Sequence, residues 1–476
     1  MLKLIPLVLA AATLTGCAVG PRYQAPRPDA GASFQAADPA LFSSAAPEAN
    51  WWANFRDPVL DRLIADALTR NHDLKIARAT LDEARALRQQ ALWAFAPGGL
   101  AGAGFQRGRL SETESGPHAA TVGETWSAGF DAAWEIDVFG RTRRAAEAAA
   151  AEVGQAGASL RDTHVALLAE VAANYFSLRD AEEAIARVTA QVQTLRESHA
   201  LVQRRVQAGR GTGLDTARTE ALWRETESLL PELTRTASEH RHRLAVLVGV
   251  RPGELTLAPP TTLPSPVADP VRIGAPADLL RRRPDVQRAE RALAAATAHI
   301  GVRTAALFPE VSIQGFLQFV GLSAGDLGER GTRSWTVAPT LRWRLFDLGR
   351  LRAQLRAAEA RADGVIANYE RTVLRALEDT ENALARYRAA VTRAEALVLR
   401  QAAAERARTL ANRQYEAGGA DPLARFDAER TALAAERDVI AANTERNLAL
   451  IAVYKALGGG WGMAPPTSPA IAWAAP

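Results

Sequence analysis

Between Leu351 and Tyr415 the chain carries no proline and a single glycine, Gly364, while alanine, leucine, arginine and glutamate dominate. Nothing in that run stops a helix, and a helix of about 65 residues is roughly 100 Å long. No ordinary globular core has that dimension. The residues just before it obey a different period. In WTVAPTLRWRLFDLGR, from Trp335 to Arg350, one side of a two-residue repeat holds Trp335, Val337, Pro339, Leu341, Trp343 and Leu345. The other side holds Thr336, Ala338, Thr340, Arg342 and Arg344. That pattern is a strand with one apolar and one wet face. Tryptophan at both ends of the apolar face is what a membrane strand needs, because indole rings settle at the two lipid–water boundaries. The chain must therefore join a membrane strand directly to a very long helix.

The stretch is echoed earlier by WSAGFDAAWEIDVFGR, from Trp126 to Arg141. Trp126, Trp134, Gly140 and Arg141 recur as Trp335, Trp343, Gly349 and Arg350, each 209 positions later. Ala208, Gly209 and Leu214 keep the same spacing to Ala417, Gly418 and Leu423, while Asp73 and Pro97 pair with Asp285 and Pro309 at a spacing of 212. The reading is an internal duplication of one unit: shorter helix, strand, loop, strand, long helix, turn, helix. A repeat of this size means two similar halves rather than a solenoid. The expected division is a signal peptide at 1–16, an extended strap at 17–56 and a first structural repeat at 57–250. A Pro-rich connector at 251–278, a second repeat at 279–457 and a C-terminal tail at 458–476 complete it.

Within the first repeat, helices are expected over Asp57 to Arg70, Leu74 to about Phe95, Arg141 to about Gln207 and Leu214 to Val248. Strands are expected over Leu100 to Gln106, which is poor in large apolar residues, and Trp126 to Val138. In the second repeat the strands are Val311 to Val320 and the Trp335 stretch, followed by helices to Tyr415 and from Pro422 to Leu457. The segment from Pro252 to Pro276 carries seven prolines, hence the connector. Asp131, Glu135 and Asp137 fall on the wet side of the strand that starts at Trp126 and suit a water-filled lumen better than acid catalysis.

The N-terminus begins with Lys3, an apolar core from Leu4 to Leu14, and Leu14-Thr15-Gly16-Cys17. The apolar run is too short to span a bilayer and reads as a cleaved export signal. It resembles a bacterial lipoprotein signal, in which Cys17 is the lipidation site and becomes the mature N-terminus. Ala18 rather than an aspartate follows, which by the same resemblance favours delivery to the outer membrane. Cys17 is the only cysteine, so no intrachain disulfide is available.

The net charge is +4. The arginines are interleaved with Glu and Asp along helices, a solvated and paired face, and no nucleic-acid-binding pattern accompanies them. Nucleic acid is excluded as a partner. The histidines are scattered, and His240 and His242, two apart on a helix, point to different sides and cannot chelate together. No phosphate loop, zinc-binding helix motif or nucleophile elbow occurs. No catalytic residue, metal ligand or cofactor is expected, beyond the covalent lipid at Cys17.

Lengths constrain the assembly. Four strands per chain cannot close a barrel, and open edges are not tolerated in lipid. Two copies would give about eight strands, a barrel that side chains fill; three would give about twelve, wide enough for a conduit.

CAVGPRYQAP, the stretch WWANFRDPVLDRLIADALTRNHDLKIA from Trp51 to Ala77, RPGEL from Arg251 to Leu255, and LLRRRPDVQRAERALAAATAHIGVRTAALFPEVSI from Leu279 to Ile313 carry a family resemblance. They resemble the outer membrane factor of tripartite efflux pumps, the NodT-type outer-membrane efflux lipoprotein family, over essentially the whole mature chain. The resemblance implies a mainly α fold with membrane β: a long α-helical barrel, and four β-strands per chain contributing to a trimeric twelve-stranded β-barrel. It implies a passive duct in the outer membrane of a Gram-negative bacterium, extending into the periplasm and gated at its periplasmic entrance. The implied partners are two further copies of the chain, a periplasmic adaptor protein, an inner-membrane transporter and outer membrane lipid. Trp126, Trp134, Trp335 and Trp343 are the expected aromatic girdle. The gate candidates flank the turns from Ala208 to Gly213 and from Gly418 to Pro422: Arg204, Arg205 and Asp215 at the first, Arg413, Tyr415 and Asp421 at the second. Asp421-Pro422 equally suits a helix start, with Asp as cap and Pro in the first turn. The alternatives are the duct of a protein secretion system and a non-channel structural periplasmic lipoprotein; a tether has no use for strands bounded by tryptophan.

Overall fold

The computed structural model describes residues 18–109, 122–258, 270–417 and 422–461. Elements in chain order are β1 (Phe42–Ser43), α1 (Pro58–Arg70), α2 (His72–Trp93), β2 (Gly98–Arg109), β3 (Val122–Ile136), α3 (Arg141–Gln207), α4 (Gly213–Glu227) and α5 (Leu229–Leu247). They continue with β4 (Val271–Arg272), α6 (Pro276–Arg282), α7 (Pro284–Ala305), β5 (Glu310–Gly321), β6 (Arg333–Arg342), α8 (Leu348–Glu416) and α9 (Pro422–Ala456). The fold is mostly helical, and α3 and α8 run 67 and 69 residues without a break. Among the described residues no helix is long and apolar enough to cross a membrane.

Local chemistry sets the boundaries. Asp57 caps α1 by accepting from the N–H groups of Val59 and Leu60, with Pro58 at the first position. α3 ends in a six-to-one bond from Arg210 N to Arg205 O and a bond from Gly209 N to Val206 O. Gly209 takes the left-handed φ of +73° that this stop demands. Asp137 holds the other end of α3, accepting from the N–H groups of Thr142 and Arg143 at 3.1 and 2.9 Å and from the Arg143 guanidinium. It stands just beyond the end of β3, so its carboxylate serves the helix rather than the face of the sheet. Glu135, still in β3, is paired with Arg141.

One expected helix is two. The run from Leu214 to Val248 breaks at Ser228 between α4 and α5. Pro231 has no N–H to return to the carbonyl of Glu227, and its ring crowds that carbonyl. The Ser228 hydroxyl donates to Glu225 O at 2.7 Å beside the gap.

The chain forms two compact units, each drawing segments from both halves of the sequence. The first holds residues up to Arg27, Thr80–Gly157 and Arg288–Arg371. Its centre is a four-stranded antiparallel sheet of order β2-β3-β5-β6. Small residues let its helices approach: the side chain of Arg291 lies against Gly154, and that of Arg144 against Gly301. The second unit holds Pro28–Ala79, Ala158–Gln287 and the residues from Thr372 onward. Its core gathers Trp51, Trp52 and Phe55 with Leu60 and Ile64 of α1, Leu168, Tyr175 and Phe176 of α3 and Leu450 and Tyr454 of α9. Arg283, nearly buried, donates to Asp285, Asp379 and the carbonyls of Ala376 and Ala456, so α8 and the end of α9 meet at the start of α7.

Matched elements start at matched spacings. β2 and α2 begin 212 positions before β5 and α7; α4 begins 209 positions before α9, and α3 ends 209 positions before α8.

Candidate functional site

Two places gather the residues that the sequence singles out. In the sheet, register decides which side chains share a face. Phe105 stands opposite Trp126, Phe130 opposite Leu317, Trp134 opposite Ile313, Leu317 opposite Trp335, and Val311 opposite Leu341. These residues therefore line one face of all four strands. The opposite face carries Gln106, Ser127, Asp131, Glu135, Ser312, Gln314, Gln318, Thr336 and Thr340 at the intervening positions. On the first face Trp335, Val337 and Leu341 are each 67% exposed, an apolar surface with nothing packed on it within the chain.

The four tryptophans are not equivalent. Trp126 packs on Phe105 with ring centroids 4.5 Å apart. Trp134 donates its indole N–H to Phe95 O at 2.9 Å, and Trp343 donates to Leu307 O at 3.1 Å. Trp343 was expected inside a strand running to Leu345; β6 ends at Arg342, and a 3-10 turn over Leu345–Asp347 leads into α8. The alternation persists past Arg342 in sequence, but β5, whose first residue Glu310 pairs with Arg342, offers no further partner backbone.

The other place is the end of the long helices in the second unit. Thr212 and Asp215 form a reciprocal capping box at the start of α4: the Thr212 N–H donates to Asp215 at 3.0 Å, and the Asp215 N–H to the Thr212 hydroxyl at 3.3 Å. The Thr212 N–H and the Thr212 hydroxyl, both donating to its carboxylate, hold the Asp215 carboxyl below its ordinary range. Asp215 is thus first a helix cap. Tyr415, in the last turn of α8, is half-buried. Arg205 of α3 donates to its hydroxyl and lies 5.0 Å from its ring centroid. Arg425 of α9 lies over the same ring at 5.1 Å and donates to Asn412 at 2.9 Å. One phenol is thereby held by two guanidinium groups, a cation–π arrangement that ties three helices. Arg204 and Arg413 are exposed and carry no ion pair among the described residues. Arg413 instead lines a cleft of about 400 Å³ with Ser198, Asn412, Glu416, Arg425 and Glu429. Asp421, the remaining gate candidate, and Cys17 both lie outside the described residues.

Arg425 was not anticipated. It has no counterpart in the first half, where the position 209 earlier is Thr216. No sequence pattern marks it, because its partners Tyr415 and Asn412 belong to the helix before the turn.

Farther from the turn, cross-helix ties continue, from α3 to α9 and from α8 to α9. Arg187 and Gln191 of α3 both donate to Glu436 of α9 at 3.1 Å, and Arg400 pairs with Asp438. Trp223 lies between the guanidinium groups of Arg196 and Arg224, at 5.3 and 3.9 Å. Among the described residues no cluster of His, Cys, Asp and Glu could hold a metal ion.

The profile of the family described as outer membrane efflux protein matches residues 63–250 and 275–459. The antibiotic efflux pump outer membrane protein ArpC of Pseudomonas putida is 31% identical, with 96% of each chain covered. The outer membrane protein OprJ of Pseudomonas aeruginosa is likewise 31% identical, again with 96% of each chain covered. Among solved structures, that of the outer-membrane channel OprN superposes with a TM-score of 0.88 at 38% identity, covering 94% of this chain and 100% of the other. The open state of the MtrE channel of Neisseria gonorrhoeae superposes with a TM-score of 0.84 at 30% identity, covering 94% and 99%.

Proposed function

Because this chain belongs to the outer membrane efflux protein family, we propose that it is the outer-membrane channel of a tripartite efflux system, a passive duct working with a periplasmic adaptor and an inner-membrane transporter. The observation that carries the reading is the sheet. It has an apolar face turned outward and two unpaired edges, β2 and β6. Lipid tolerates neither an open edge nor a half-closed sheet, so copies must pair edge to edge. Three copies, about twelve strands, leave a conduit where two would be filled by side chains. The function is transport, not catalysis.

Several finer assignments belong to the same proposal. Residues 57–250 and 279–457 are two copies of one unit, supported by the matched spacings of their elements. Trp126, Trp134, Trp335 and Trp343 form the aromatic girdle, supported by the face that the first three share and by the two backbone ties of Trp134 and Trp343 near the sheet's end. Cys17 carries a lipid, supported by the sequence before it. The constriction lies at the ends of α3 and α8 and the start of α9, where Arg205, Tyr415 and Arg425 are tied; Asp421 is retained as the acid of the second turn, which Arg413 also flanks, and Arg204 and Asp215 flank the first.

The test is reconstitution. Purified protein, sized in detergent by light scattering and then added to a planar bilayer, is expected to run as a trimer and to give discrete conductance steps. Monomeric folded protein, or a trimer that inserts and conducts nothing, overturns the duct.

A further inference from the structure

The parallel pair β1–β4, with Phe42 opposite Val271 and Ser43 opposite Arg272, and the 3-10 turn Trp51–Phe55 border a cavity of about 470 Å³ within the second unit. That volume is in the range of small-ligand pockets, and the transport of cargo along a duct makes no use of it. Its polar lining includes Glu48, Asn54, Arg56, Arg272, Tyr387 and Tyr454, set against an apolar wall from Val271 and Leu450.

Arg56 is the only non-glycine residue at positive φ among the described residues, with φ 51° and ψ 39°. Glycine takes that conformation at no steric cost, whereas an arginine is strained in it, and strain of this kind gathers at functional positions. Its guanidinium is exposed and has no ion pair or hydrogen bond among the described residues. Arg272 reaches Glu48 at 3.3 Å and stays half exposed. Glu48 is itself fixed by the Asn54 amide at 2.9 Å, which also donates to the Tyr454 hydroxyl at 3.3 Å. Trp51 stacks on Tyr454 with centroids 5.0 Å apart and an interplanar angle of 13°, a stiff backing. The Tyr387 ring packs on Phe42 at 5.9 Å, and its hydroxyl has no hydrogen-bond partner among the described residues.

We propose that this cavity binds a short peptide bearing one free carboxylate. Two guanidinium groups and one carboxylate leave a single net positive charge, which matches one carboxylate and not a dianionic phosphate. A guanidinium fork holds a carboxylate through two parallel hydrogen bonds. The Tyr387 hydroxyl is suited to the ligand's amide groups, and Leu450 and Val271 to its side chains. The site shares no residue with the Arg205–Tyr415–Arg425 cluster.

Titration calorimetry on the full chain in detergent, with N-acetyl-alanyl-alanine as the probe, tests it. The C-terminally amidated form of that peptide and inorganic phosphate serve as comparisons. Binding of the free acid, with the amide and phosphate each at least tenfold weaker, is expected. Arg56→Gly removes the guanidinium and relieves the backbone. It is expected to weaken binding tenfold or more while the thermal midpoint holds or rises. Tyr387→Phe keeps the ring and is expected to weaken binding about threefold. No heat at millimolar peptide overturns the site, as does wild-type affinity in Arg56→Gly. Phosphate or the amidated peptide binding as well as the acid overturns the assigned ligand.

Discussion

The guanidinium of Arg205 lies over the ring of Tyr415, 5.0 Å from its centroid, and donates to the phenol oxygen. The two residues stand at the ends of the two longest helices, so each end of the pair belongs to a different half of the sequence. Arg425 lies over the same ring at 5.1 Å. A tie built from two cations and one phenol has no internal salt bridge to offset like charge. It holds by cation–π attraction and one charge-assisted hydrogen bond.

If the ends of α3 and α8 form the proposed constriction, removing both cations should loosen it. Each guanidinium over the ring contributes about 0.5–2 kcal/mol, and about 1.4 kcal/mol is tenfold in an equilibrium. Arg205→Ala combined with Arg425→Ala is therefore expected to raise the planar-bilayer conductance of the trimer, with Tyr415→Phe intermediate because it keeps the ring. Arg413→Ala should resemble wild type, since Arg413 only lines the neighbouring cleft. A folded double variant that conducts like wild type removes this tie from the gate.

The apolar face of the sheet gives a second expectation. Val337 and Leu341 share it and are exposed within the chain, whereas Thr340 stands opposite Ser312 on the other face. Val337→Arg or Leu341→Arg should destabilise the inserted protein by about 2–4 kcal/mol if the site lies near the bilayer midplane. Thr340→Arg should be mild. Equal responses in a bilayer folding assay contradict the assigned faces.

Much of this was legible in the sequence because it depends on local chemistry. The helix expected from Arg141 to about Gln207 forms over Arg141–Gln207, since a glycine turn follows it and no proline interrupts it. The alternation around Trp126 and Trp335 gave the shared face before any register was known. What escaped depends on partners distant in the chain. Trp343 looks like a strand residue until its neighbour strand runs out, and its bond to Leu307 has no sequence mark. Asp137 reads as a lumen acid by spacing, yet the free N–H groups of α3 claim it. Arg425 meets Tyr415 only once the second hairpin has closed.

Acidification should weaken the second unit through His164. Its ring is buried on α3 and faces the Arg78 cation, and both burial and that charge hold its pKa below the ordinary 6.5. The unfolded chain then binds a proton more readily than the folded one, so stability is full above about pH 6.5 and falls as pH drops through that window toward the folded value. His164→Gln should flatten the decline in thermal midpoint between about pH 7 and pH 5. An unchanged slope would place the acid-labile group elsewhere.

Gly140 and Gly349 occupy corresponding positions 209 residues apart, and they should respond in opposite ways to the same change. Gly140 sits at φ +84°, and a Cβ there would lie 2.6 Å from the Cβ of Ala18. The strap passes over it: Val19 N donates to Phe139 O at 3.1 Å, and Arg144 donates to Val19 O and Gly20 O. Gly349 lies in α8 with open space around its Cβ direction. Gly140→Ala therefore meets both a left-handed backbone and the strap, and should destabilise by about 1–3 kcal/mol. It should also speed proteolysis between residues 18 and 27. Gly349→Ala fills nothing and restricts the unfolded chain, so it should be neutral or stabilising by about 0.5–1 kcal/mol. Thermal melts and limited proteolysis read both effects, and mass spectrometry of the mature N-terminus on the same samples tests whether Cys17 carries acyl chains. Equal behaviour of the two variants would falsify the idea that the strap is seated on the first junction alone, while a cleaved but unmodified Cys17 would remove the lipid anchor from the proposal.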